Sequence, residues 1–138
     1  MINSLSRNTP KNWDTKNIPD LEGKTALITG SNSGLGYYTA KALAEKNCHV
    51  ILSCRNLEKS IATKNKLQKL IPQAQLSTIE IEMSDFHKVS SKCDQISNEY
   101  ENLDLLINNA GIMHPPKTLN SQGYEIQFAV NHLSHMLL

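Results

Sequence analysis

Thr29-Gly30-Ser31-Asn32-Ser33-Gly34-Leu35-Gly36 decides how this chain is read. It follows the apolar run Lys24-Thr25-Ala26-Leu27-Ile28 and opens a helix-like stretch from Tyr37 to Lys46. A strand that turns through three glycines into a helix is built to hold phosphate. Gly30 allows the tight turn, Gly34 lets backbone approach a pyrophosphate, and Gly36 lets helix and strand pack closely. Helix N–H groups and the positive dipole end then face the anion. Three of the six glycines in the chain are spent on this one segment.

Around that turn, strand-like and helix-like stretches alternate. Strands are expected at Ala26 to Thr29, His49 to Ser53, Leu76 to Met83 and Leu103 to Ile107. Helices are expected at Leu35 to Lys46, Leu57 to Leu70 (stopped by Pro72) and Asp85 to Tyr100, the last capped by Ser84 or Asp85. Such alternation predicts an α/β fold: a Rossmann-like, doubly wound parallel sheet of about four strands with helices on both faces. Ligands of these sheets bind beyond the carboxyl ends of the strands. Met1 to Leu21 reads as a polar arm broken by Pro10 and Pro19, with Trp13 as its anchor, and residues 22–138 as the dinucleotide-binding domain.

Composition narrows the partners. At 138 residues and a net charge of +1, one domain is expected, without the basic footprint of a nucleic-acid or anionic-membrane binder. No apolar run approaches the roughly 18–20 residues of a membrane span. The first 19 residues lack the apolar core of a secretory signal, so the expected location is cytoplasmic. Cys48, Cys54 and Cys93 have neither metal nor redox spacing. His132 and His135 lie three apart on an expected helix but have no acidic or Cys partner, so they do not read as a metal pair.

The residues after the second strand separate the two nicotinamide dinucleotides. NAD sites place an acid there for the ribose hydroxyls, whereas NADP sites need a cation for the 2′-phosphate. Here the chain reads Ser53-Cys54-Arg55-Asn56, with no acid, and Arg55 is one of two arginines against twelve lysines. A planar guanidinium fork suits bidentate phosphate binding. The expected cofactor is NADP.

Thr29-Gly30-x-x-x-Gly34-x-Gly36 followed by Asn108-Asn109-Ala110-Gly111 resembles the short-chain dehydrogenase/reductase family. The run Gly123-Tyr124-Glu125-x-Gln127-Phe128-Ala129-Val130-Asn131-His132-Leu133 is similar to its retinol-dehydrogenase-like branch, and the likeness spans about Ile18 to Leu138. Light-dependent protochlorophyllide reductases share the cofactor half. The resemblance implies that Ser31, Asn32, Ser33, Gly34 and Leu35 wrap the adenosine phosphates, and Gly30, Gly36, Arg55 and Asn56 complete the expected cofactor-binding set. It implies that Asn109, Ala110 and Gly111 lie along the adenosine ribose. Asn131 matches the family's catalytic Asn, which kinks its helix and holds a water of the proton relay. Where the family has Asp beside the adenine, this chain has Glu82 in Ile81-Glu82-Met83-Ser84-Asp85, so either Glu82 reaches further or Asp85 compensates.

The family's chemistry also uses a Ser and a Tyr-x-x-x-Lys pair well after that Asn, where the Lys cation lowers the Tyr pKa. Neither lies between Asn131 and Leu138. Tyr37-Tyr38-Thr39-Ala40-Lys41 satisfies the string but sits in the first helix, at packing positions. The apolar ending through Met136-Leu137-Leu138 and the bare last strand read as a truncated sequence, inactive alone. The expected function is the cofactor-binding portion of an NADP-dependent oxidoreductase acting on a small alcohol or carbonyl substrate, homo-oligomeric through the Asn131 helix as in relatives. Alternatives are a non-catalytic dinucleotide-binding or assembly module, a protochlorophyllide-reductase-like fragment, and a methyltransferase, which would leave Arg55, Asn108 to Gly111 and Asn131 unexplained.

Overall fold

The computed structural model describes residues 12–138. Four parallel strands form one sheet in the order β3-β2-β1-β4: β1 (Thr25–Thr29), β2 (His49–Cys54), β3 (Leu76–Glu80) and β4 (Leu105–Ile107). Helices α1 (Gly34–Ala44), α2 (Leu57–Leu70) and α3 (Phe86–Glu99) connect them in sequence. Beyond β4 come a short α4 (Ile126–Phe128), a π-helical turn (Ala129–Leu133) and α5 (Ser134–Leu137). Ala26 pairs with Val50 on one side and Leu105 on the other, which makes β1 the central strand, with β2 and β4 as its two neighbours.

Both faces of β1 and β2 are covered, so these strands are apolar along nearly their whole length. Ala26, Ile28, Val50 and Leu52 point into a layer filled by Tyr37, Ala40 and Leu43 of α1 and Leu67 of α2. Leu27 and Ile51 point the other way, onto Val89 and Ile96 of α3 and Val130 of the π turn. The two layers place α1 and α2 on one face and α3 with the last helical segments on the other. This is the expected doubly wound arrangement.

Element ends follow local chemistry. The Asn56 side chain accepts from Lys59 N (2.9 Å) and caps α2, whose bounds match expectation residue for residue. Asp85, not Ser84, caps α3, accepting from the N–H groups of His87 and Lys88. β3 is shorter than expected. Ile81 and Met83 are buried, but the ladder ends when Ile81 N donates to Cys54 O, because β2 itself stops there.

Within the described part of the arm, Thr15–Asn17 forms one 3-10 turn capped by Asp14. Trp13 is 54% exposed and is not the anchor expected of it. Leu21 takes that role: its side chain packs on the α1 layer and its N–H donates to Lys46 O at 2.7 Å. Arm positions 1–11 lie outside the described residues. No helix among the described residues is long and apolar enough to cross a membrane.

Candidate functional site

A cleft of about 620 Å³ opens over the carboxyl ends of the strands, where the strand order switches between β1 and β4. That size suits a small-molecule or cofactor site. Its floor and walls come from four separate loops: those after β1, β2, β3 and β4.

The loop after β1 is shaped by what its glycines exclude. Gly30 has φ +64°, and a Cβ there would stand 2.9 Å from Ala110 Cα. At Gly36 a Cβ would strike the Asn109 side-chain nitrogen and come within 2.5 Å of Gly30 O. Gly36 therefore closes the turn on itself and on the β4 loop, a tighter constraint than helix-on-strand packing. Gly34 also has positive φ (+54°) but faces open space. Ser33 is the N-cap of α1, and its hydroxyl makes no capping hydrogen bond. The first N–H groups of α1 are thus left without a side-chain partner, as an anion-binding helix start requires.

Of the residues singled out in the sequence, Gly30, Asn32, Ser33, Leu35, Arg55, Asn56, Glu82, Met83, Asn109, Ala110 and Gly111 all line this cleft. Ser31, Gly34 and Gly36 do not. Ser31 is buried beneath the turn, where its N–H and hydroxyl both donate to Ser53 O (3.0 and 3.3 Å), tying β1 to β2. Leu35 lines the cleft while 80% exposed.

Arg55 stands at the mouth of the cleft after β2, exposed and without an ion pair among the described residues. Lys59, one turn into α2, lines the same wall. It was not singled out in the sequence, although its place four residues after Arg55 at a helix start was a readable signal. At the end of β3, the Glu82 carboxylate accepts from the Ser84 N–H (3.1 Å) and hydroxyl (2.8 Å) and lines the cleft. Asp85 is committed elsewhere, to the α3 start and to Gln122. Desolvation pushes its carboxyl up, but the hydrogen bonds from the Lys88 N–H, the Gln122 amide and the His87 N–H, with the Lys88 charge, together hold it below the usual range.

Two residues not expected from sequence organise the far wall. The Thr29 hydroxyl accepts from both Asn109 N and Ala110 N, each at 2.9 Å. In return the Asn109 side chain donates to Thr29 O (2.8 Å) and Gly30 O (3.2 Å). The β4 loop and the glycine turn are locked together by this exchange. His135 reaches the same hydroxyl from α5, with its Nε2 at 2.9 Å. Asn131 lies in the π turn, and its amide exchanges two 2.8 Å hydrogen bonds with the Ile112 backbone. It borders the cleft through Ile112 rather than lining it.

The model for short chain dehydrogenases matches residues 24–138. An uncharacterized oxidoreductase of Schizosaccharomyces pombe is 42% identical over 141 residues, covering 99% of this chain and 41% of that protein. Retinol dehydrogenase 14 of Mus musculus is 39% identical over 128 residues, covering 86% of this chain and 38% of its own. Among solved structures, an uncharacterized protein from Mycobacterium paratuberculosis superposes with a TM-score of 0.78 at 34% identity, over 91% of this chain and 44% of that one. The chain spans about two fifths of the length of the curated relatives it matches. With the glycine turn, the four-loop cleft and the family match agreeing, this chain belongs to the short chain dehydrogenase family.

Proposed function

We propose that these residues form the cofactor-binding part of an NADP-dependent oxidoreductase acting on an alcohol or carbonyl substrate. When bound, the dinucleotide would supply a hydride acceptor or donor at its nicotinamide. The residues here bind and orient it. The uncapped α1 start and the backbone of Gly30 to Leu35 take the pyrophosphate, and the excluded Cβ positions at Gly30 and Gly36 keep that cradle open. Leu35 covers the dinucleotide from the α1 side. Asn109, Ala110 and Gly111 line the ribose. Glu82 and Met83 border the adenine, the role passing to Glu82 because Asp85 is turned into α3. Asn131, held against Ile112, would orient a water of the proton relay. The Tyr-x-x-x-Lys string among these residues, Tyr37 to Lys41, lies in α1 with Tyr37 packed in the core rather than after Asn131, so these residues bind the dinucleotide without turnover.

The observation that carries the cofactor choice is Arg55: a fork at the cleft mouth, unpaired among the described residues, where an acid would serve NAD. A 2′-phosphate is the natural partner for it. Fluorescence titration of the purified chain with NADPH and NADH tests the reading. Arg55→Ala should weaken NADPH by about tenfold or more and leave NADH nearly unchanged. Equal losses for both cofactors, or no binding of either by the wild type, defeats it.

A further inference from the structure

His135 has no part in the reading above, yet it sits at a junction of three segments. Its Nε2 is 2.9 Å from the Thr29 hydroxyl at the end of β1, and its Nδ1 is 3.3 Å from Asn131 O in the π turn. Thr29 in turn holds the Asn109 and Ala110 N–H groups.

The proton count around Thr29 Oγ1 fixes the state of the ring. A hydroxyl offers two lone pairs and one hydrogen. Asn109 N and Ala110 N, both backbone donors, occupy the two lone pairs at 2.9 Å. The single hydroxyl hydrogen then has two acceptors to choose between: Ile107 O at 3.4 Å and His135 Nε2 at 2.9 Å. A hydrogen on Nε2 would force three N–H donors onto two lone pairs and leave the hydroxyl with its longest contact. A bare Nε2 satisfies every short contact, and the proton on Nδ1 then points to Asn131 O.

We infer that His135 is a positioning residue for the dinucleotide cleft: as the neutral Nδ1–H tautomer it accepts from the Thr29 hydroxyl, aiming that oxygen's lone pairs at the Asn109 and Ala110 N–H groups. The consequence for the cofactor rests on the dinucleotide reading proposed above. Burial independently holds the imidazole pKa below its usual value, against a smaller upward pull from the Asn131 carbonyl. Other titratable groups on the surrounding elements are Cys93 on α3, which donates to Leu137 O, and His132 on the same helical segment, which stacks on Phe128. Lys24 and Asp104 pair at the opposite ends of β1 and β4. None of these hydrogen bonds to His135. Because the folded state lowers this pKa, the arrangement is intact above the ordinary imidazole pKa and is lost as pH falls through the depressed folded value. Protonation adds an N–H donor at an oxygen already filled and pushes the Asn109-Ala110 segment off Thr29.

The test uses the 138-residue chain labelled with 15N and needs no cofactor. Side-chain imidazole shifts at pH 7.5 should report His135 protonated on Nδ1 and bare on Nε2, and the Asn109 and Ala110 amides should titrate with it on acidification. His135→Leu should speed exchange of those two amides by about tenfold. Thr29→Ser should keep both the tautomer and the amide protection, and Thr29→Val should lose them. An Nε2–H tautomer in the wild type overturns the inference, whatever the variants do. So do Asn109 and Ala110 amides indifferent to the His135 titration. NADPH titration of the same sample separates the two claims: the expected tautomer and coupling without NADPH binding would sustain His135 and sink the cofactor reading.

Discussion

Asn131 and Ile112 pair as though they were neighbours in a sheet: Ile112 N donates to Asn131 Oδ1 and Asn131 Nδ2 donates to Ile112 O, both at 2.8 Å. A side-chain amide presents a C=O and an N–H on one edge, so it can satisfy both backbone groups of a residue that lies outside any strand. The chain after β4 is thereby fixed to the π turn, and Gly111 is held with room for a Cβ only 3.4 Å from Asn131 Oδ1.

Replacing Asn131 by Ala should cost about 1–2 kcal/mol of stability, two exposed hydrogen bonds' worth, read as a lowered midpoint in urea. Asn131→Asp should be worse at neutral pH than Asn131→Ala. A carboxylate keeps the bond from Ile112 N but sets a negative oxygen against Ile112 O. An Asp variant as stable as wild type at pH 7 would contradict this account.

Gly36 and Gly34 should respond very unequally to Ala for a reason visible only in three dimensions. At Gly36 the added methyl meets backbone, Gly30 O at 2.5 Å, and the anchored Asn109 side chain, neither of which can yield cheaply. At Gly34 it meets nothing, and only the positive φ is strained. Gly36→Ala should therefore lose several kcal/mol, as an overpacked core does, and Gly34→Ala about 1 kcal/mol. Thermal unfolding of the two variants side by side checks the order.

Much of this was legible in the chain. Val50-Ile51-Leu52 reads as a strand because both of its faces are covered, and α2 was bounded correctly because Asn56 caps it and Pro72 follows it. The glycine turn named the cleft. What sequence could not supply was contact between segments far apart in the chain. His135 and Thr29 are separated by 106 positions, and helical periodicity only assigns a face, not a partner across the sheet. β3 is shorter than its apolar run for a related reason: Ile81 and Met83 are buried beyond the end of the ladder, and hydrophobicity does not distinguish burial from pairing. Trp13, the one tryptophan of the arm, stays exposed, and the backbone bond at Leu21 decides where the arm lies.

Lys59 should matter for phosphate and little else. Lys59 lines the same cleft as Arg55, while its backbone N–H is the one that the Asn56 side chain caps. Lys59→Met keeps the stem and the cap and removes the charge. NADPH affinity should fall about threefold to tenfold at low salt, NADH affinity should hold, and the difference should shrink as salt is raised. Asn56→Ala should instead lower stability by about 1 kcal/mol through loss of the α2 cap, so thermal melts and NADPH titrations of the two variants distinguish charge from cap.

At the far end of the sheet, Asp104 clasps β4 to β1. Its carboxylate accepts from Lys24 Nζ at 2.8 Å and from Thr25 N at 2.9 Å. The hydrogen bond from Lys24 is the main cause holding the Asp104 carboxyl below its ordinary value, and the Thr25 N–H is the next. A carboxylate whose folded pKa is depressed contributes stability above its unfolded pKa of about 3.9, and that contribution is lost as pH falls through the lower folded value. Asp104→Asn should therefore lower the denaturation midpoint at pH 7, where the charged partner is missing. The gap to wild type should begin to narrow as pH drops below about 4 and close once pH falls through the lower folded value, where protonation gives the wild type the same neutral side chain. The exposure of the pair predicts a second signature: added salt at pH 7 should also narrow the gap, since solvent screens Lys24 from Asp104. No gap at pH 7 would mean that the Thr25 N–H bond, which Asn can also accept, and not the charge, holds the two strand ends together.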